Sequence, residues 1–166
     1  TELSGLSSVL IAFSDDMDAL RKVPDNVPNK QMLESYIGHP LTNIPDPFGT
    51  HESFGHHNNA RLRTFLDRFE FSYEFKSSTD CYKSGMFDRA LLRMAEKHND
   101  ILKVILPTLG TDRRSTYSPF LPIHPETGLV MQVPMIDVDH VNDRLTWVDP
   151  QTQVQYSTPI TGGHCK

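Results

Sequence analysis

The chain has 166 residues, of which 37% are hydrophobic and 22% charged, and its net charge is -5. This composition suits an ordinary folded domain, or part of a larger one, and not a disordered segment. The acidic balance argues against a dedicated nucleic-acid binder such as a DNA-binding domain, which is basic overall, though it leaves room for a local basic patch.

No apolar run approaches the ~20 residues of a membrane span, and no signal peptide is visible. The two cysteines, Cys81 and Cys165, are far apart and form no CxxC pair, so a single disulfide stays open but a secreted disulfide framework is not indicated. A cytoplasmic, membrane-free setting is the expectation.

In chain order, residues 1–8 read as the tail of a helix and a turn around Gly5. Val9–Phe13 is a continuous apolar run that ends in Ser14-Asp15-Asp16-Met17-Asp18, the pattern of a buried parallel strand whose carboxyl end opens on polar residues. Ligands of open α/β sheets bind just outside such ends, which makes Ser14, Asp15, Asp16 and Asp18 active-cleft candidates. The N-cap of a short helix through Met17, Leu20 and Lys22 accounts for the same acids equally well.

Residues 23–49 carry Pro24, Pro28, Pro40, Pro45 and Pro47 and predict a long irregular excursion with one short helix near 30–36. An amphipathic helix follows over 58–69, with Leu62, Phe65, Leu66 and Phe69 at helical spacing. Alternation in Phe71–Phe75 predicts a strand, with the polar segment 77–85 at its carboxyl end. Phe87–Leu106 reads as the longest helix, ended with the help of Pro107.

This order of strand, helix, strand, helix indicates an α/β fold built on a parallel sheet. Beyond Thr111 the runs Tyr117–Ile123, Leu129–Met135, Leu145–Val148 and Val154–Tyr156 alternate with turns at 125–128, 142–143 and 149–152. They predict a small antiparallel β module. A start at Thr1 and an end on a Gly162-Gly163 turn read as a piece cut from a longer chain.

Among chemistry-bearing patterns, no Walker A loop, GxGxxG or GxSxG occurs. The densest cluster is Asp46-Pro47-Phe48-Gly49-Thr50-His51-Glu52-Ser53-Phe54-Gly55-His56-His57. A loop folding back on a helix start can bring Asp46, His51 and His57 around one cation. Imidazole nitrogens with a carboxylate oxygen suit zinc and leave one tetrahedral position open. Helix capping and surface roles explain the same residues.

Cys81 beside Tyr82 and Lys83 has no identifiable partner histidine, and a lone cysteine is more often buried and inert. Arg113 and Arg114 suit either a phosphate backbone or solvated surface. His164 and Cys165 are adjacent and rarely converge on one ion.

Five stretches together resemble the class I lysyl-tRNA synthetases, the Rossmann-type lysine–tRNA ligases of archaea and some bacteria. They are Phe13–Pro24, Pro45–Gly49, Ser53–Asn58, Tyr82–Gly85 and Leu106–Leu109. The resemblance implies ATP-dependent attachment of lysine to tRNA(Lys), with magnesium accompanying ATP. It implies that residues 1–110 are part of a Rossmann-type nucleotide-binding parallel sheet with helices and the Pro-rich loop 23–49. Residues 111–166 would be a connective β insertion module.

The family's His-Ile-Gly-His-like and Lys-Met-Ser-Lys-Ser-like ATP signatures are not in this sequence. The expectation is therefore an inner piece of the catalytic domain, inactive alone. Tyr82, Lys83 and Ser84 would lie where the family receives the tRNA acceptor end, and Arg113 and Arg114 are further tRNA-contact candidates.

Some family members hold a zinc through an Asp, Cys, His, His set. Here Asp46, His51 and His57 match and Thr50 stands where the Cys would be. A second family zinc uses cysteine pairs, near which this chain has His124, Thr127, Asp149 and Thr152, so its loss is expected, with packing and hydrogen bonds holding the hairpins. A stand-alone metal- or RNA-binding module is the alternative reading, and a metal-dependent hydrolase is a third.

Overall fold

The computed structural model describes residues 5–166, so the expected helix tail at 1–4 lies outside them; Gly5 stands in a turn at φ 66°. The chain divides into two compact units, one running to Asp80 and the other from Cys81 to Lys166.

The first unit contains β1 (Ile11–Ser14), α1 (Lys30–Glu34), a 3-10 turn at Leu41–Asn43, α2 (Phe54–Arg68) and β2 (Glu74–Ser77). β1 and β2 pair in parallel, from Ile11 against Glu74 to Ser14 against Ser77, so their carboxyl ends lie side by side. The burial expected for Val9–Phe13 is not found: Val9, Ile11 and Phe13 are 66%, 53% and 47% exposed. Among the described residues this sheet has two strands, and the side chains of Ile11 and Phe13 are left about half exposed. Apolar composition makes a strand fit for burial but does not supply the layer that buries it.

The core of this unit lies in the Pro-rich excursion, where Leu20, Leu33 and Ile44 pack with Phe54 of α2. Residues 15–22 are irregular, with a turn at 16–17 and a bridge from Ala19 to Pro40, rather than the alternative helix. Their backbone is paired with the excursion instead: Leu20 N donates to His39 O, Gly38 N to Leu20 O and Leu41 N to Asp18 O.

α2 begins four residues before the apolar spacing suggests. Ser53 caps it, its hydroxyl accepting the His56 N–H at 3.2 Å. His57 and Asn59 consequently sit on the first turns of the helix and are buried, whereas Phe65 and Phe69 of the predicted apolar face are exposed. At Gly55 a Cβ would lie 2.9 Å from both the backbone N and Cγ2 of Thr42, so only glycine lets the helix start close on the 3-10 turn.

In the polar segment after β2, residues 78–83 form a helix, α3 (Ser78–Lys83). In the second unit the expected single helix is two, α4 (Asp88–Glu96) and α5 (His98–Ile105), parted at Lys97, whose N–H turns to Arg93 and Met94 carbonyls. A 3-10 turn at Leu106–Thr108 holds Pro107, and α6 (Thr111–Arg114) follows.

β3 (Asp137–Asp139), β4 (Arg144–Val148) and β5 (Gln155–Thr158) form an antiparallel sheet in that order. The expected runs at 117–123 and 129–135 contribute isolated bridges, Ile123 with Val130 and Pro122 with Cys165, rather than strands. Pro119, Pro122 and Pro134 there have no N–H to give a ladder.

Leu91 and Ala95 of α4 pack with Phe120, Val133, Leu145, Trp147, Ile160 and Cys165 in one core. Because the β module covers the apolar face of α4, this compact unit reaches back to Cys81, ahead of residue 110. Among the described residues no helix is long and apolar enough to cross a membrane.

Candidate functional site

Asp46, His51 and His57 come together as their spacing predicts: one ligand atom from each lies within 4.8 Å of the others. Two devices place them. Gly49, at φ 67°, turns the loop back on itself, and the early start of α2 carries His57 inward.

The Asp46 side chain is 1% exposed and holds the loop from inside. Its Oδ1 accepts the Phe48 N–H at 3.1 Å, and its Oδ2 accepts the N–H groups of Thr50 and His51 at 2.9 Å each. The Thr50 hydroxyl donates to Oδ2 at 3.0 Å. Burial pushes the Asp46 carboxyl up, but the N–H groups of Phe48 and Thr50, the Thr50 hydroxyl and the His51 N–H outweigh it. They hold the group well below the usual carboxylate range.

His57 Nδ1 lies 3.3 Å and His51 Nδ1 3.8 Å from Asp46 Oδ2. The Thr50 hydroxyl oxygen is also 2.8 Å from His51 Nδ1 and 3.2 Å from His57 Nδ1. An ionised carboxylate only accepts, so the His57 Nδ1 that faces it carries the proton. His57 stacks on Phe48, with centroids 4.2 Å apart, and its Nε2 is buried without a hydrogen-bond partner among the described residues.

Three converging ligand atoms meet the minimum for zinc. The fourth corner, however, is a neutral hydroxyl, unlike the thiolate, imidazole or carboxylate that zinc takes. Metal-bound imidazoles also donate their other N–H to an orienting acceptor, and among the described residues His57 Nε2 has none. The set does not fit zinc.

The cleft candidates separate. Asp16 is 1% exposed at the end of β1. Its Oδ1 accepts from the Ser78 hydroxyl at 3.0 Å and the Thr79 N–H at 2.9 Å, and its Oδ2 from Asn59 Nδ2 at 2.7 Å. Ser14 Oγ donates to Asn59 Oδ1 at 2.5 Å, and the Met17 N–H to Ser78 Oγ at 2.9 Å. One carboxylate thus ties β1, α2 and α3 together.

Asp15 is exposed, and Asp18 pairs with Arg21 at 3.3 Å. Asn59, Ser77 and Asp80, with His51, His56 and Arg63, border a cleft of about 390 Å³ beside the strand ends. Asp18 borders another of about 410 Å³, with Arg21, Lys22 and Arg61.

Among the tRNA-contact candidates, Lys83, Ser84, Arg113 and Arg114 are exposed. Ser84 Oγ donates to Cys81 O at 3.3 Å, and Arg114 donates to Leu109 O at 2.8 Å. Tyr82 packs edge-on against Phe87. Cys81 and Cys165 are free and buried.

In the β module, His124 Nδ1 accepts from the Glu126 and Thr127 N–H groups, which places its proton on Nε2, 3.7 Å from Asp149 Oδ2. Asp149 in turn accepts from Gln151 N and Thr152 Oγ1. The two hairpin turns therefore meet through a buried His–Asp contact.

Asn59, Ser78 and Thr79 carry the strand-end cluster and were not among the candidates. Their signal was a run of hydroxyls, Ser77-Ser78-Thr79, at the carboxyl end of a strand that pairs with one followed by acids.

A family model described as tRNA synthetases class I (K) matches residues 2–166. A lysine–tRNA ligase of Rickettsia felis is 53% identical over 165 residues, which are 99% of this chain and 31% of that protein. Lysine–tRNA ligases of Rickettsia bellii and Rickettsia rickettsii are 52% identical over the same shares. The chain spans about a third of the length of these curated relatives.

Proposed function

Because this chain belongs to the class I tRNA synthetases described as (K), we propose that the whole protein is a cytoplasmic lysine–tRNA ligase. It activates lysine with ATP and transfers it to tRNA(Lys). The observation that carries this reading is the agreement, over nearly the whole chain, between the family match and relatives that are named for that activity and share half of its residues. ATP with magnesium belongs in this reading to the whole protein, since the sequence here contains neither ATP signature. Bound there, ATP would supply the adenylyl group to the lysine carboxylate with pyrophosphate as the leaving group, and magnesium would screen the phosphates.

In this reading residues 1–110 belong to the Rossmann-type part and 111–166 to the connective module. Asp16 is a positioning residue: held by Asn59, Ser78 and Thr79, it keeps the ends of β1 and β2 aligned beside a cleft instead of touching substrate. Asp15 and Asp18 are the carboxylates with solvent access, and Ser14 orients Asn59 at the cleft wall. Lys83, Arg113 and Arg114 contact tRNA phosphates, with Tyr82 and Ser84 shaping the same region.

The test is lysine-dependent exchange of pyrophosphate into ATP by the full-length protein, with tRNA(Lys) present. Exchange with lysine and not with other amino acids is expected. A folded full-length protein without it overturns the assignment and favours a metal- or RNA-binding module.

A further inference from the structure

We propose that Thr50 makes the Asp46 loop a metal-free knot: its hydroxyl, and no cation, joins Asp46, His51 and His57. This inference does not depend on the ligase reading.

A hydroxyl has one proton and two lone pairs. With its proton given to Asp46 Oδ2 at 3.0 Å, the Thr50 oxygen accepts from His51 Nδ1 at 2.8 Å and His57 Nδ1 at 3.2 Å. Every polar atom that faces the centre then has a partner. The loop also needs no ion for its shape. Asp46 takes three backbone N–H groups, Gly49 supplies the turn, and Asn29 Nδ2 pins the Pro47 carbonyl at 2.7 Å.

A cation would require the opposite protonation. Both imidazoles would present bare Nδ1 atoms, and their protons would move to Nε2. For His57 that creates a buried N–H with no acceptor among the described residues, a rarer and costlier defect than a bare buried lone pair. The Thr50 proton would also have to leave Asp46, because a hydroxyl that ligates through its oxygen competes for the same space.

Cysteine at this position reverses the balance. Its thiolate has no proton for Asp46 and would repel that carboxylate, unless a divalent cation lies between them and completes an Asp, Cys, His, His set.

The experiment measures zinc content by mass spectrometry and the thermal midpoint with and without EDTA. It uses protein grown with added zinc and then dialysed. Wild type should hold no zinc above the buffer blank at this loop, with a midpoint that EDTA does not move. Thr50→Cys should gain about one zinc per chain, lose it again when His51→Gln is added, and acquire a midpoint that EDTA lowers. Thr50→Val should lower the midpoint by about 1–4 °C and Thr50→Ser should restore it, a small effect because Thr50 lies at the surface.

The proposal is overturned by a wild-type zinc content that falls by about one per chain in His51→Gln. It is also overturned by a Thr50→Cys protein that binds no more zinc than wild type, or by a Thr50→Val midpoint equal to wild type.

Discussion

Replacing Asp16 tests whether the strand ends are held by one buried carboxylate. Asp16→Ala removes the acceptor for three donors: the Ser78 hydroxyl, the Thr79 N–H and Asn59 Nδ2. The hydroxyl can rotate toward another acceptor, but the Thr79 N–H is fixed by helix geometry, and the buried Asn59 amide keeps a partner only by turning away from its bond with Ser14. Each buried donor left unpaired costs about 1–3 kcal/mol, giving an expected loss of about 3–4 kcal/mol.

Asp16→Asn should cost less. Its amide can donate to Asn59 Oδ1 if the Asn59 amide flips, and Asn59 Nδ2 then donates to Ser14 Oγ, which exchanges its donor role for an acceptor role. Only the charge assistance is lost, about 1–2 kcal/mol.

Urea unfolding followed by far-UV circular dichroism separates the two. With m of about 1.5–2 kcal/mol/M, the alanine variant's midpoint falls by about 2 M and the asparagine variant's by under about 1 M. Exchange at the Thr79 amide should quicken in the alanine variant only. An alanine variant within about 1 kcal/mol of wild type would refute the clamp. Equal losses in both variants would show that charge, and not the pattern of bonds, carries the effect.

The same carboxylate gives a pH dependence. Burial raises the Asp16 carboxyl, but the serine hydroxyls at the end of β2, the Thr79 N–H and Asn59 together bring it below its ordinary 3.8. Its stabilisation is therefore full above about pH 4 and is lost as pH falls through the depressed folded value. Acid titration of wild type should show a step that Asp16→Asn lacks.

Gly55→Ala should cost about 2–3 kcal/mol, read from the same urea curves, because the new methyl meets Thr42 backbone that cannot swing aside. Thr158→Val strands the buried Trp147 indole N–H, now 3.2 Å from the hydroxyl, and should cost about 1–3 kcal/mol of stability, read from urea unfolding followed by Trp147 fluorescence. Burial pushes the Cys165 thiol up to about 12, so iodoacetamide at pH 8 should leave it unlabelled until the protein is unfolded. Arg113→Ala with Arg114→Ala should weaken tRNA binding and flatten its salt dependence; unchanged affinity at low salt would remove both from the interface.

The sequence alone determined which groups can meet. A strand, a helix and a second strand at these lengths imply parallel pairing, and the structure joins β1 to β2 in that way. Intervals of five and six residues around Gly49 sufficed to bring Asp46, His51 and His57 to one point. The resemblance carried by Phe13–Pro24 and Ser53–Asn58 agrees with the family match.

Local pattern failed where a partner distant in sequence decides. Val9–Phe13 is apolar enough to be buried, yet the core of its unit formed around the Pro-rich excursion, because Leu33 and Ile44 found Phe54 there. The helix at 87–106 broke at Lys97, though its apolar spacing ran on unbroken.

Only the tertiary structure decided that Asn59 reaches both Ser14 and Asp16, that His124 faces Asp149, and that the Thr50 oxygen lies among three ligand atoms. The reason is directional. Spacing sets how close two side chains can come, whereas hydrogen bonding depends on which atom carries the proton and at what angle it points. Those are fixed when separate segments pack against one another.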